Sequence, residues 1–216
     1  LDGAGDTGIV DILNESDADT YAGPGSELAT QLYGALRIGN IKIKAAAPTI
    51  SGATAATTTI TIDNGGNQWT KAGAWHYRVA GIDLTQGILS TDTPQTVAVA
   101  LAKYVNDRAH LPVKAASAAG SGTTYVVTLT SKSAGIRGND LTIWQDTSQL
   151  PTGATSAIAG GTAVGNGAKR FVNGAGTEDV SALITALKSE RYYTIAPAQR
   201  DATNLARWRT FIDDQA

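Results

Sequence analysis

The segment that decides the fold is TTTITI, from Thr57 to Ile62, together with the turn sequence that follows it. β-branched residues favour extended backbone, because their side chains pack well on a pleated surface. Asp63-Asn64-Gly65-Gly66 comes directly afterwards, and its Asn-Gly dipeptide is a strong signal for a tight turn between strands. The middle of the chain is therefore predicted to fold around a β-sheet.

The residues on either side of this segment extend the same pattern. From about Pro48 to Gly161 the chain is rich in Thr, Ala, Gly and Ser. Thr93-Pro94 predicts one helix, with proline at the first helical position and with Val97, Leu101, Tyr104 and Val105 on its buried face. Further strands are predicted at Trp75 to Ile82, Leu111 to Ala115, Thr124 to Thr130 and Asp140 to Gln145.

Both ends of the chain alternate helix and strand signals instead. Ser26 is predicted to cap a helix that buries Leu28, Leu32 and Leu36 and stops at Gly39. Strands are predicted within Gly8 to Leu13, at Ile41 to Ala45 and at Tyr192 to Ala196. A second helix is predicted to be capped by Thr177 and to bury Val180, Leu183, Ile184 and Leu187. A third is predicted to be opened by Asp201, with Leu205, Trp208 and Ile212 on one apolar face.

The β-rich pattern in the middle and the alternating helix and strand signals at both ends predict an α/β (α+β) fold with a discontinuous core. The core is expected to comprise residues 1–47 and 163–216, and a β-rich domain containing one helix is expected to be inserted at 48–162. The small-residue stretches Ala47 to Ala56 and Ala157 to Gly167 would carry the chain between the two domains.

Composition excludes several classes of function. The chain has 17 basic and 19 acidic residues and a net charge of -2, so it lacks the basic excess that holds a phosphate backbone, and nucleic acid is not expected as a partner. No apolar run approaches the ~20 residues that span a bilayer, so no membrane association is expected. Cysteine is absent, which excludes disulfides and thiolate metal sites. Methionine is absent too and the chain begins at Leu1, which suggests an excerpt from a longer chain.

The sequence contains one candidate nucleotide motif and two candidate metal ligands, and each has a simpler interpretation. Gly3-x-Gly5-x-x-Gly8 matches the dinucleotide fingerprint by letter, but a strand-like segment follows it rather than precedes it, which favours a flexible lead-in. His76 and His110 have no partner at metal-ligand spacing and are interpreted as packed or surface residues.

The remaining candidates are also interpreted as structural. Asp17-x-Asp19, with Asp11 and Glu15, has some features of a calcium loop but lacks the distal glutamate, which favours a solvated turn. Ser121 lacks a nucleophile elbow, and the stretch from Gly165 to Gly176 is interpreted as a loop. The aromatic residues Tyr192, Tyr193 and Trp208 are interpreted as core. The basic residues of the C-terminal third are interpreted as a solvated or salt-bridged face: Lys188, Arg191, Arg200, Arg207 and Arg209. The sequence predicts no catalytic, cofactor or metal site, and no enzyme.

The order of several segments resembles a known family, the contractile tail sheath proteins of Mu-like phages. The most specific are TLTSKSAGIRGNDLTI, Thr128 to Ile143, and RYYTIAP, Arg191 to Pro197, followed by DATNL, Asp201 to Leu205. The weaker ones are the helix start YAGPGSELA, Tyr21 to Ala29, the strand Ile41 to Ala46, and LPTGA, Leu150 to Ala154. Together they cover nearly the whole chain in order.

The resemblance implies a structural subunit that polymerises helically around a tail tube and contracts to drive the tube into the host envelope. It implies a location in the virion tail and three partners: other sheath subunits, the tail tube and the baseplate, the last two reached through regions not present here. The family's N-terminal arm and C-terminal inner domain are absent, and the loop from Thr162 to Gly176 is longer than the family leads us to expect. Because such arms add strands to a neighbour's sheet, this chain alone is expected to be monomeric.

A second class of function stays open at this stage. The Thr-rich inserted domain could instead be a β-rich binding module, either an adhesin or a carbohydrate-binding domain of a phage or bacterial surface protein. Exposed aromatic residues in a groove would favour that alternative, and Trp69 and Trp75 are the residues on which it depends.

Overall fold

The computed structural model describes residues 8–39, 41–189 and 191–215 of the chain. The fold is α+β, as expected. The helices are α1 (Glu15–Ala22), α2 (Glu27–Leu36), α3 (Pro94–Asn106), α4 (Ser181–Leu187) and α5 (Ala202–Gln215). The strands are β1 (Val10–Ile12), β2 (Ile43–Ala45), β3 (Thr49–Asp63), β4 (Gly73–Val79), β5 (Ile82–Ile88), β6 (Val113–Ala119), β7 (Tyr125–Ala134), β8 (Thr142–Asp146), β9 (Thr155–Ala159), β10 (Thr162–Gly165), β11 (Ala168–Arg170) and β12 (Ala175–Asp179).

The chain divides into two compact units. Unit 1 comprises Leu1–Ala53 and Gly176–Ala216, and unit 2 comprises Thr54–Ala175. Compared with the predicted insertion at 48–162, both boundaries lie further along the chain. The first falls inside the predicted crossing Ala47 to Ala56, within β3, whereas the second falls within β12, beyond the predicted crossing Ala157 to Gly167. The predicted strand at Ile41 to Ala45 and the strand at Thr57 to Ile62 lie in different sheets.

The first half of unit 1 is built from two capped helices and a short strand pair. Ser26 caps α2 as predicted, because its hydroxyl accepts the backbone N–H of Ala29 at 3.1 Å. Asn14 caps α1 in the same way, accepting the N–H of Asp17 at 3.0 Å. Strands β1 and β2 pair antiparallel, with Ile12 opposite Ile43. Ile12, Ala18, Leu32 and Ala45 form the small core beneath them.

The second half of unit 1 differs from the prediction in two places. Thr177 lies in β12 and does not cap a helix; α4 begins at Ser181, whose N–H is accepted by the Asp179 carboxylate at 2.9 Å. The predicted strand at Tyr192 to Ala196 is absent from the described residues 191–200, which form no regular element. A core of Val180, Leu183, Leu187, Trp208 and Phe211 joins α4 to α5.

A buried asparagine ties the start of α5 to the start of α4. Asn204 is buried, and its amide nitrogen donates to the carbonyl of Glu178 and to Asp201 Oδ2, each at 2.9 Å. Its amide oxygen accepts the N–H of Val180 at 3.3 Å. Asp201 opens the helix as predicted, with Oδ1 accepting the Asn204 N–H at 2.9 Å. The Asn204 side chain thus pairs the backbone just before α4, and the Asp201 carboxylate pairs an N–H that the start of α5 leaves free.

Acidification is expected to loosen the starts of α4 and α5. The pKa values of Asp179 and Asp201 are both lowered, chiefly because each carboxylate accepts a backbone N–H, from Ser181 and Asn204 respectively. A lowered folded-state pKa contributes stability that is complete above the ordinary aspartate pKa of about 3.9 and is lost as the pH falls through the folded value. Urea unfolding measured from about pH 6 downward should show this loss.

The matched variant carries both Asp179→Asn and Asp201→Asn. Asparagine still caps a helix but does not titrate, so the variant should lose less stability than the native chain over the acid range. Equal losses in the two proteins would show that these carboxylates do not carry the acid sensitivity.

Unit 2 is organised by two sheets and one helix. One five-stranded sheet has the order β10-β11-β8-β4-β5, and in the other β3 pairs with both β7 and β9, and β7 pairs with β6. Helix α3 starts as predicted, with Pro94 in its first turn and a reciprocal capping box between Thr93 and Thr96. It packs against β6 and β7. The buried core includes Ile60, Trp75, Tyr77, Leu101 and Leu129.

Several strands of unit 2 were not predicted. The single strand expected at Trp75 to Ile82 is a hairpin of β4 and β5, because Ala80 and Gly81 both adopt positive φ, as a tight hairpin turn requires. The predicted crossing at Ala157 to Gly167 contains part of β9 and all of β10, and the predicted loop from Gly165 to Gly176 contains β11. Glycine and alanine in these strands weaken the sequence signal without preventing pairing.

None of the helices in the described ranges is long and apolar enough to cross a membrane.

Candidate functional site

The strand pair β1–β2 of unit 1 is a sheet of only two strands. Across the described residues, no third strand pairs with either of them. A two-stranded sheet is marginal in water by itself, and an open edge is a template for a strand from another chain. This pair therefore offers unit 1 an open edge for strand addition.

Exposed apolar side chains flank one end of the same strand pair. Leu13 follows β1 and is 76% exposed, and Ile41 precedes β2 and is 50% exposed. Because Ile12 is opposite Ile43 in the register, both residues lie at the same end of the pair. Ile38, after α2, is also largely exposed. Leu13 and Ile41, with the edges of β1 and β2, are referred to below as the assembly edge.

Helix α5 offers a second apolar surface within unit 1. The predicted face of Leu205, Trp208 and Ile212 is wrong, since only Trp208 is buried and the core face is Asn204, Trp208 and Phe211. Leu205 and Ile212 are exposed instead. A shallow groove between α4 and α5 is lined by Ser181, Ile184, Lys188, Ala206, Arg207, Thr210, Phe211 and Asp214.

The two histidines lie far apart in the sequence and have different surroundings. His76, on β4, is held by hydrogen-bonding contacts from Nδ1 to Thr85 Oγ1 at 3.0 Å and from Nε2 to Gln149 Oε1 at 3.3 Å. His110 is exposed in the turn between α3 and β6. In the described part of the chain, no group of three or more His, Cys, Asp or Glu side chains could hold a metal ion.

The acidic cluster near the start lies on a helix, not in the solvated turn that was predicted. Glu15, Asp17 and Asp19 belong to α1, and Asp11 lies in β1. Asp17 Oδ2 accepts the N–H of Leu13 at 2.9 Å, and Asp19 accepts the Tyr33 hydroxyl. Burial and this hydrogen bond raise the pKa of Tyr33 to about 12. Asp19 thus joins α1 to α2, and Asp17 ties the start of α1 to the residue that follows β1.

Other candidates from the sequence are placed as follows. Gly3 and Gly5 lie outside the described residues, and Gly8 precedes β1. Ser121 is exposed in the β6–β7 turn, where its carbonyl accepts the Thr124 hydroxyl at 2.8 Å. Trp208 is core as predicted, with its indole N–H donated to Gln199 Oε1 at 3.0 Å. Tyr192 is partly buried, whereas Tyr193 is fully exposed, contrary to the prediction.

The basic residues of the C-terminal third lie on the surface. Arg207 Nη1 bonds to Asp179 Oδ1 at 2.6 Å, and Arg209 faces Asp213 at 3.9 Å. Lys188, Arg191 and Arg200 are exposed. This is the solvated, partly salt-bridged face that their spacing indicates, and such pairs each add little to stability.

The tryptophans named for a binding module are both in the core. Trp69 is 2% exposed and Trp75 is 1% exposed, so neither can offer its ring to a ligand. Trp144, for which the sequence predicts only a place in a strand, is partly exposed. Strict alternation along β8, with Ile143 facing inward, is the signal that could have placed its ring on the outer face.

No family model matches this chain, and no curated protein matches it. Among solved structures, it is similar to the D2-D3 domains of the flagellar cap protein FliD from Serratia marcescens, at 17% identity, with 61% of this chain and 83% of that chain covered and a TM-score of 0.33. It is also similar to the D1-D2-D3 domains of FliD from Escherichia coli, at 15% identity, with 76% of this chain and 58% of that chain covered and a TM-score of 0.28. TM-scores this low do not establish a shared fold.

Proposed function

We propose that this chain is part of a contractile tail sheath subunit, a structural protein of the virion tail and not an enzyme. The observation that carries the proposal is the assembly edge of unit 1, where a two-stranded sheet lies beside the exposed Leu13 and Ile41. A sheath subunit needs such a place, since arms from neighbouring subunits would extend the sheet by adding strands. The order of the sheath-like sequence segments supports the same proposal.

The chemistry of the edge suits strand addition. An added strand gains main-chain hydrogen bonds from the open edge of β1 or β2, and its apolar side chains would cover Leu13 and Ile41. Because Leu13 is 76% and Ile41 is 50% exposed, covering each of them would contribute on the order of 1–2 kcal/mol. Repeated between identical subunits in a head-to-tail manner that does not close, such contacts generate a helical tube.

The proposal predicts that a longer parent chain with both terminal arms forms tubes. Electron microscopy of that parent chain should show tubes or long polymers, and Leu13→Asp combined with Ile41→Asp should abolish them, because charged side chains would then be buried beside the added strand. Leu89→Asp is the matched control, since Leu89 is an exposed leucine of unit 2 and the variant should still form tubes.

The chain from Leu1 to Ala216 should by contrast stay monomeric in light scattering across a dilution series. A tight dimer or closed ring that persists at nanomolar concentration would contradict the role given to the arms. A parent chain that forms only a compact oligomer would contradict the sheath proposal itself.

A further inference from the structure

One tryptophan of unit 2 lies outside its hydrophobic core. Along β8, Ile143 is fully buried and Gln145 bonds to Ser156 of β9, so both face the interior of the unit. Trp144 alternates with them and therefore points to the opposite face of the sheet. It is partly exposed and, for the residues described, is not among those packed against the core. A large aromatic ring is thus presented on an outer sheet surface.

The strands on both sides of β8 frame this ring with polar groups. Arg78 of β4 is directly opposite Trp144 in the register, and His76 is opposite Asp146. On the other side, a Cβ added at Gly167 would stand 3.9 Å from the indole Nε1, so the β10–β11 turn lies beside the ring. Trp144, Arg78, His76 and Asp146 therefore form one continuous outer surface, referred to here as the tryptophan face.

The polar groups of the tryptophan face are held in place before any ligand arrives. Arg78 makes two bonds to Asp83, from Nε to Oδ1 at 2.6 Å and from Nη2 to Oδ2 at 3.0 Å. His76 is fixed between Thr85 and Gln149, at 3.0 and 3.3 Å. Asp146 Oδ1 accepts the N–H of Ser148 at 2.8 Å, which lowers the pKa of its carboxyl and keeps it an ionised acceptor at neutral pH. Preorganised groups reduce the entropy lost on binding.

The charges of this surface indicate the class of ligand. Two guanidinium groups, Arg78 and Arg170, lie with three carboxylates, Asp83, Asp140 and Asp146, and Arg78 is already paired with Asp83. The local balance is slightly acidic, which disfavours phosphate or sulfate groups. A neutral sugar fits better, because the C–H groups on one face of a pyranose ring meet the negative face of the indole and its hydroxyls can donate to carboxylates.

The surface is less suited to a protein partner. Protein interfaces bind through clusters of apolar and aromatic anchors surrounded by a rim. Here one aromatic ring is surrounded by hydrogen-bonding groups, and the other outward positions of β4 and β5 include Ala74, Thr85 and Gly87. Such a surface offers orientation and hydrogen bonds but little further apolar area.

We infer that the tryptophan face of unit 2 binds a neutral oligosaccharide, with one pyranose ring stacked on Trp144 and its hydroxyl groups bonded to Asp146 and to the side-chain amide of Gln149, which His76 holds in place. The site lies in unit 2, whereas the assembly edge belongs to unit 1. Sugar binding would be a further function, in addition to the proposed sheath role. It stands or fails independently of tube formation.

Saturation-transfer NMR on the whole chain tests this site with maltohexaose, cellohexaose, mannohexaose and N-acetylchitohexaose as probes and dextran sulfate as the anionic comparison. At least one neutral hexasaccharide should bind, and Trp144→Ala should weaken it by about tenfold or more. Trp144→Phe should retain weaker binding because part of the ring face remains. Tyr193→Ala, which removes an exposed aromatic ring of unit 1, should bind as the native chain does.

The variants are expected to fold, because Trp144 is outside the core, and an unchanged melting temperature checks this. Failure of every neutral probe to bind at millimolar concentration would overturn the inference. So would equal binding by the native chain and Trp144→Ala, or binding of dextran sulfate alone.

Discussion

Replacing Leu101 by alanine is expected to lower the free energy of unfolding of unit 2 by about 3 kcal/mol. Leu101 is fully buried on the face of α3 that packs against β6 and β7. The substitution removes apolar contacts and leaves a cavity that close-packed neighbours fill only in part. Urea titration, with hydrogen exchange of the α3 amides to localise the change, measures the loss.

Val99→Ala is the matched control, two residues away on the same helix. Val99 is 53% exposed, so its substitution should change the free energy of unfolding by no more than about 0.5 kcal/mol. Alanine is also the better helix former, so a slight gain is within expectation. Similar losses for the two variants would show that α3 does not pack on the sheet through the face of Leu101.

The elements predicted correctly are those with a complete local signal. Thr93-Pro94 supplies both a capping hydroxyl and a proline in the first turn of α3, and Ser26 supplies a cap followed by leucines at helical spacing. The run from Thr57 to Ile62 is long, β-branched and closed by glycines. In each case, local preference and tertiary packing favour the same structure.

The elements that were missed depend on contacts between distant parts of the chain. Helix α1 has a weak apolar pattern, and the sequence at its start, Asn14, resembles a polar turn. The helix is supported by a contact that the local sequence does not show, the hydrogen bond from Tyr33 of α2 to Asp19. Thr177 is a good capping residue by type, but it lies in β12, and the Asp179 carboxylate takes over at the start of α4. Short strands rich in glycine and alanine, such as β10, are stabilised by a partner strand rather than by their own residues.

The candidate surfaces were harder to predict than the fold, because exposure is decided by packing and not by residue type. Trp69 and Trp144 are both tryptophans of unit 2, yet Trp69 lies in the core and Trp144 faces outward. Likewise, Leu13 and Ile12 are adjacent apolar residues, and only Ile12 is buried. The sequence shows that such residues exist, whereas the register of β1 and β8 determines which of them a partner could reach.

Phe211→Ala is expected to be the most damaging single substitution in unit 1, with a loss of about 4 kcal/mol. Phe211 is buried and packs edge-to-face on Trp208, with ring centroids 6.1 Å apart. Their cluster joins α4 and α5 and also contacts Ile9 and Ala46 from the first part of the chain. Unit 1 is held together across its long insertion by contacts of this kind, and a loss this large is comparable to the whole stability of many small domains.

Ile212→Ala supplies the comparison on the same helix, since Ile212 is largely exposed and should contribute little. Hydrogen exchange followed by mass spectrometry should show Phe211→Ala exposing the amides of α4 and α5 together with those of β1 and β2, because Ile9 and Ala46, which flank β1 and β2, pack against the cluster of Trp208 and Phe211. The α3 amides of unit 2, whose core includes none of these residues, serve as the internal reference. Loss of protection in α5 alone, with β1 and β2 unchanged, would show that the two segments of unit 1 fold separately and would contradict a discontinuous core.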